Sequence, residues 1–225
     1  MWQWLKNLFK KKEKTIIPDK NNIVEFPKPP NKIDEIQTFQ GLGTPKWYVE
    51  AWNKCVIEDK YKSWGDRPLA KILKNKDKFL KVQDITGVPW EVVAAIHFRE
   101  SSLNFNTCLH NGDPLPGPTI HVPAGRGPFA SWEDAAIDSI KYEGFDKVTK
   151  WDLATCLKKL EAYNGGGYLK RGLPSPYLWA CTNVSAHKGY YIEDGKFYPY
   201  ASCDEYLGAA AILKLLNFSA PVKNY

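Results

Sequence analysis

Apolar residues recur at helical spacing along most of the chain. From Thr44, a capping residue followed by Pro45, the residues Trp47, Ala51, Trp52, Cys55 and Val56 fall on one side, which predicts a helix over 44–61. Helical patterns follow over 68–79 and 79–86. Ser131 with Asp134 resembles a capping box and opens a helix expected to reach about Val148, and another is expected over 151–163. A last helix is expected over 203–216, with Leu207, Ala211, Leu213 and Leu215 inward. The pattern changes in two places. Residues 106–129 are rich in Gly and Pro and long enough for a functional loop. Around Glu193-Asp194-Gly195, the runs Tyr190-Tyr191-Ile192 and Lys196-Phe197-Tyr198 predict a hairpin. The expected fold class is mainly α with a small β-hairpin, without internal repeats.

One helix carries chemistry. In the segment from Val88 to Glu100, Pro89 suits the first helical position, and Val92, Val93, Ile96 and Glu100 lie on a common face. A carboxyl at the end of an apolar stripe loses water, and desolvation raises its pKa towards the range of a general acid near neutral pH. Such a group at the mouth of a cleft is what glycosidic cleavage requires. The alternative reading is a surface Glu closing a helix.

The organisation ahead of this domain differs. Residues 1–14 place Trp2, Trp4, Leu5, Leu8 and Phe9 in one arc, with five lysines against Glu13. That is the pattern of an interfacial helix attracted to an anionic membrane surface, with a solvated basic tail as the alternative. The segment is too short to span a bilayer and lacks a signal-peptide pattern. Residues 15–40, with Pro18, Pro27, Pro29 and Pro30, read as a linker, leaving 41–225 as one domain. The formal charge is +6. The share left to the domain suits an anionic polymer, and no nucleic-acid motif accompanies it. Aromatics make up 14% of the chain, and several fall in expected loops, where rings can pack on sugar faces. Trp47, Trp52 and Trp151 are expected in the core. Five cysteines, Cys55, Cys108, Cys156, Cys181 and Cys203, without a C-x-x-C pair, favour reduced thiols, with a Cys181–Cys203 disulfide left open.

The loop 106–129 supports rival chemistries. His110, Asp113 and His121, with distant His187, are the residue types of a zinc peptidase site, although their spacing matches no zinc signature. Cys108 with His121 as base is the corresponding amidase reading.

The run Ala95-Ile96-His97-Phe98-Arg99-Glu100-Ser101-Ser102 resembles the catalytic-helix motif of goose-type lysozymes and lytic transglycosylases. About sixty residues on, Ala162-Tyr163-Asn164-Gly165-Gly166 resembles the "A-Y-N-A-G" motif of the same superfamily. Segments 109–115, 119–126, 175–179 and 190–195 are similar to a bacteriophage endolysin subfamily, so the likeness covers roughly half the chain. The resemblance implies a lysozyme-like α+β fold and cleavage of the β-1,4 bond between N-acetylmuramic acid and N-acetylglucosamine in bacterial peptidoglycan. It implies Glu100 as the acid, supported by Ser101 through a hydrogen bond. Sugar sites would be lined by Tyr163, Asn164 and Tyr177. In the loop, Asn111, Asp113 and the histidines His110 and His121 are expected to shape the groove or simply to hold the loop together. The second carboxylate of some lysozymes has no clear match, leaving Asp113 or Thr119 to orient water; otherwise the muramic 6-hydroxyl attacks and a 1,6-anhydro product forms. No cofactor or metal is implied, a monomer is expected, and synthesis in the host cytoplasm would precede action on the periplasmic wall after membrane permeabilisation. A wall-binding module that keeps the fold without activity is the reading from another class.

Overall fold

The computed structural model describes residues 39–193 and 196–221. The segment 1–14 and nearly all of the linker lie outside the described residues. The rest is mostly helical, with α1 Pro45–Lys54, a 3₁₀ turn Asp59–Gly65, α2 Asp66–Lys74, α3 Lys76–Thr86, α4 Trp90–Ser101, α5 Trp132–Tyr142 and α6 Leu153–Tyr163. Two single-turn helices, α7 Gly167–Lys170 and α8 Pro176–Trp179, precede strands β1 Lys188–Glu193 and β2 Lys196–Ser202, and α9 Ala209–Leu215 follows. The strands form an antiparallel hairpin pairing Tyr190 with Tyr198 and Tyr191 with Phe197. Among the described residues, no helix is long and apolar enough to cross a membrane.

Helix α4 is the axis. Every side chain from Val92 to Phe98 is buried, so the helix is covered all round rather than on one stripe. It packs against α3, α6 and α9, while α1 packs on α6 and α8 bridges α6 and α9. Trp47 and Trp52 belong to this core, as expected, and Trp151 packs against it partly exposed.

The start signals act as expected, and several ends come earlier. Thr44 Oγ1 accepts the Trp47 N–H at 3.2 Å, and Ser131 Oγ accepts that of Asp134 at 3.1 Å. Asp152, unnoticed in the pattern, caps α6 through the Thr155 N–H at 2.9 Å. Pro89 is the residue before α4 rather than its first. The first helix stops at Lys54, not Tyr61, because a distant segment captures its backbone. Asn183 donates to the Lys54 carbonyl at 3.0 Å and accepts from Val56 N–H at 2.9 Å, while Glu58 N–H bonds the Cys181 carbonyl. Helix α5 ends at Tyr142 instead of Val148, where Gly144 takes a left-handed φ of 66°.

The last helix begins at Ala209, not Cys203, because Asp204 is occupied elsewhere. Its carboxylate accepts the Cys181 N–H at 2.6 Å, the Ser185 hydroxyl at 2.7 Å and the His187 ring at 2.6 Å. His187 Nε2 also lies 3.4 Å from Glu58. All five cysteines are buried and free, so Cys181 and Cys203 are not bridged.

Gly208 lies where α9 meets the chain leaving α8. A Cβ there would collide with the Leu178 carbonyl and come within 2.7 Å of Ala180 N. Backbone cannot retreat as a flexible side chain can, so Gly208→Ala should lower stability by about 2–3 kcal/mol in urea unfolding.

Candidate functional site

Glu100 occupies the last turn of α4, where the helix closes on left-handed Ser102 and Leu103 at φ 52° and 61°. Glu100 is 7% exposed. Tyr177, on the first turn of α8, donates its hydroxyl to Glu100 Oε1 at 3.0 Å. The Tyr163 ring, from the end of α6, stacks on the Tyr177 ring with centroids 6.2 Å apart, and its hydroxyl meets that of Ser139 at 3.2 Å. The Arg99 guanidinium lies over the Tyr177 ring at 5.0 Å and over the Tyr206 ring at 5.3 Å, and donates to the Leu207 carbonyl at 2.9 Å.

Burial pushes the Glu100 pKa up to about 7, against the pull of the Tyr177 hydroxyl and the Arg99 charge. Glu143, half-buried just past α5, adds to the rise through its own charge, and burial lifts its pKa too. Burial, reinforced by Glu100, raises the Tyr163 and Tyr177 hydroxyls far above their ordinary range. They therefore remain protonated donors. Chemically, the arrangement holds an acid protonated near neutral pH, with a hydroxyl donor ready to stabilise its anion once the proton has left.

A second buried carboxyl braces this group. Glu161 accepts the Tyr48 hydroxyl at 2.6 Å and the Ser175 N–H at 3.0 Å. Ser175 Oγ in turn accepts the Tyr177 N–H at 3.3 Å. Tyr177 is thus fixed to α1 and α6 through one carboxyl.

The expected site residues separate into two groups. Glu100, Tyr163 and Tyr177 come together, but both tyrosines are almost wholly buried and serve the acid rather than presenting open ring faces. Asn164 is the C-cap of α6, followed by Gly165 at φ 83°. Ser101 does not support Glu100 as expected. Its hydroxyl donates back along the helix to the His97 carbonyl at 3.3 Å, and Tyr177 occupies that role.

The second group holds the loop 106–129. Asp113, 2% exposed, accepts the N–H groups of Ile120 and His121 at 2.8 and 2.9 Å and pairs with the His121 ring. Burial opposes its ionisation, but these donors bring its pKa below the usual carboxylate value. Asn111 donates to the His121 carbonyl at 3.0 Å and accepts the Asp113 N–H. Thr119 donates to the Pro123 carbonyl at 2.6 Å and accepts from Arg126 N–H. His110, its pKa lowered by burial, contacts Asp138 at 2.9 Å, and Asp138 is bound by Arg126. Among the described residues, no three His, Cys, Asp or Glu side chains gather as metal ligands would. Burial lifts the Cys108 thiol to about 11, so it is not a thiolate near neutral pH.

Glu143, Glu161, Tyr48 and Arg99 were missed by sequence reasoning. Only Glu161 leaves a trace in the pattern, as a charge on the face of Leu153, Leu157 and Leu160. No family model, curated protein or solved structure matches this chain.

The raised pKa has a stability consequence. An exposed Glu titrates at 4.5, and Glu100 at about 7. Between these pH values the folded chain keeps a proton that the unfolded chain has released, so Glu100 lowers stability as pH rises through that window. Glu100→Gln, neutral throughout, should gain about 2–3 kcal/mol on the parent between pH 5 and pH 8 in urea unfolding. A difference independent of pH would mean that Glu100 titrates normally. Tyr177→Phe removes a donor to the anion and should raise the Glu100 pKa further, read by carbon NMR titration of the carboxyl.

Proposed function

We propose that the protein cleaves the glycan of bacterial peptidoglycan, at the β-1,4 bond between N-acetylmuramic acid and N-acetylglucosamine, with Glu100 as general acid. The observation that carries this reading is a buried carboxyl at the closing turn of α4, bound by a tyrosine hydroxyl and with its pKa pushed up to about 7. Support comes also from the resemblance of 95–102 and 162–166 to goose-type lysozymes and lytic transglycosylases, with the endolysin-like segments around them. A lysozyme-like fold and a role as a phage endolysin in host lysis belong to the same proposal.

The mechanism follows from the acid. Glu100 gives its proton to the leaving glycosidic oxygen while positive charge grows at the muramic carbon. The anion left on Glu100 keeps the Tyr177 hydroxyl as donor. Water can then attack with help from a second polar group. Asp113 and Thr119 are engaged inside their loop and are not free for that task. That same engagement favours a second reading, in which the muramic 6-hydroxyl attacks internally and Glu100 recovers a proton as base.

Mass spectrometry of soluble fragments released from purified peptidoglycan tests both. Reducing muramic ends are expected for water attack, and ends lighter by one water for the internal route. Glu100→Gln should retain its fold and lose about 10²–10⁴-fold in rate, the usual contribution of a general acid. Cut peptides on intact glycan would overturn the proposal.

A further inference from the structure

A cavity of about 650 Å³ lies away from Glu100, between the 3₁₀ turn, α2, the end of α4 and the segment before α9. That volume falls within the ~300–1,000 Å³ of sites for small ligands. Phe98 and Glu100 are two positions apart on α4 and so project about 200° from one another. The cavity therefore occupies the far side of the acid's helix.

Its chemistry is mixed in a specific way. Phe98 and Tyr206 stack almost parallel, with centroids 4.6 Å apart at 7°, and Trp64, 45% exposed, adds a further apolar wall. Arg67 and Lys71, one turn apart on α2, line the same space, and among the described residues neither forms an ion pair. Glu205 lines it too. Two cations and one anion around an apolar floor suit a ligand that carries charges of both signs. A phosphate polymer would have nothing to offer Glu205, and a neutral sugar would match none of these three exposed charges.

We propose that this cavity binds a short peptide bearing a free carboxylate and a free ammonium group. The carboxylate meets Arg67 and Lys71, the ammonium meets Glu205, and small apolar side chains rest against Trp64 and the Phe98–Tyr206 pair. Identifying that ligand as the stem peptide of the wall rests on the proposed glycan cleavage; the binding chemistry does not. A site behind the acid's helix would hold the peptide of a wall strand while the glycan is cut.

Titrating synthetic L-Ala-γ-D-Glu-L-Lys into the full chain by calorimetry tests this directly, since the probe has no glycosidic bond. Saturable binding is expected, weakened about tenfold or more by the double variant Arg67→Ala/Lys71→Ala and by amidation of the peptide carboxyls. Acetylating the peptide amines should weaken binding to the parent but not to Glu205→Gln. All three substituted residues are exposed, and circular dichroism checks that the variants fold. Absence of saturable binding, indifference to these changes, or equal binding of a glycerol-phosphate oligomer would overturn the proposal. Peptide binding without any cleavage of glycan would sustain the cavity's ligand and sink the glycosidase reading.

Discussion

Withdrawing the Glu100 carboxyl from water constrains much of what surrounds it. An anion at that depth would lose its hydration with only one hydroxyl and a neighbouring guanidinium in return, so the proton stays. The tyrosine that contacts it must then be held in place by something other than a full charge. Glu161, on α6, provides this by binding α1 and the turn before α8, so the geometry at the acid depends on a second carboxyl one helix away. Ring packing completes the arrangement, with Tyr163 on Tyr177 and Arg99 between two tyrosines.

The division of labour among polar residues follows from local geometry. The long loop after α4 has little regular structure of its own, and its buried backbone needs partners. Asp113, Asn111 and Thr119 supply them, which explains why residue types associated with catalysis turn up there without gathering around Glu100. The half-exposed His121 ring is held by a carboxylate whose remaining contacts are all to the loop backbone.

Sequence patterns were most informative where structure is local. The caps Thr44 and Ser131, the hairpin around 194–195 and the placement of Glu100 at a buried helix end all depend on residues within a few positions of one another. The patterns failed where distant segments intervene. Nothing near Lys54 announces that Asn183 will take its carbonyl, and nothing near Cys203 announces that Asp204 serves the chain some twenty residues earlier. The partners of Glu100 were half legible. Tyr177 and Tyr163 stood out as residues, but their burial depends on the meeting of α6 with α8, which periodicity within either helix does not encode.

The cluster at Asp204 has a consequence for where this domain can keep its shape. One carboxylate joins the 181–187 segment to the end of the hairpin, and through His187 it reaches Glu58 beside the 3₁₀ turn. Many small domains would close such a junction with a covalent bridge, and two cysteines, Cys181 and Cys203, stand in that very region as buried thiols. Because the clasp is made of hydrogen bonds, this end of the fold closes without electron exchange. A reductant that would open a disulfide leaves this clasp untouched.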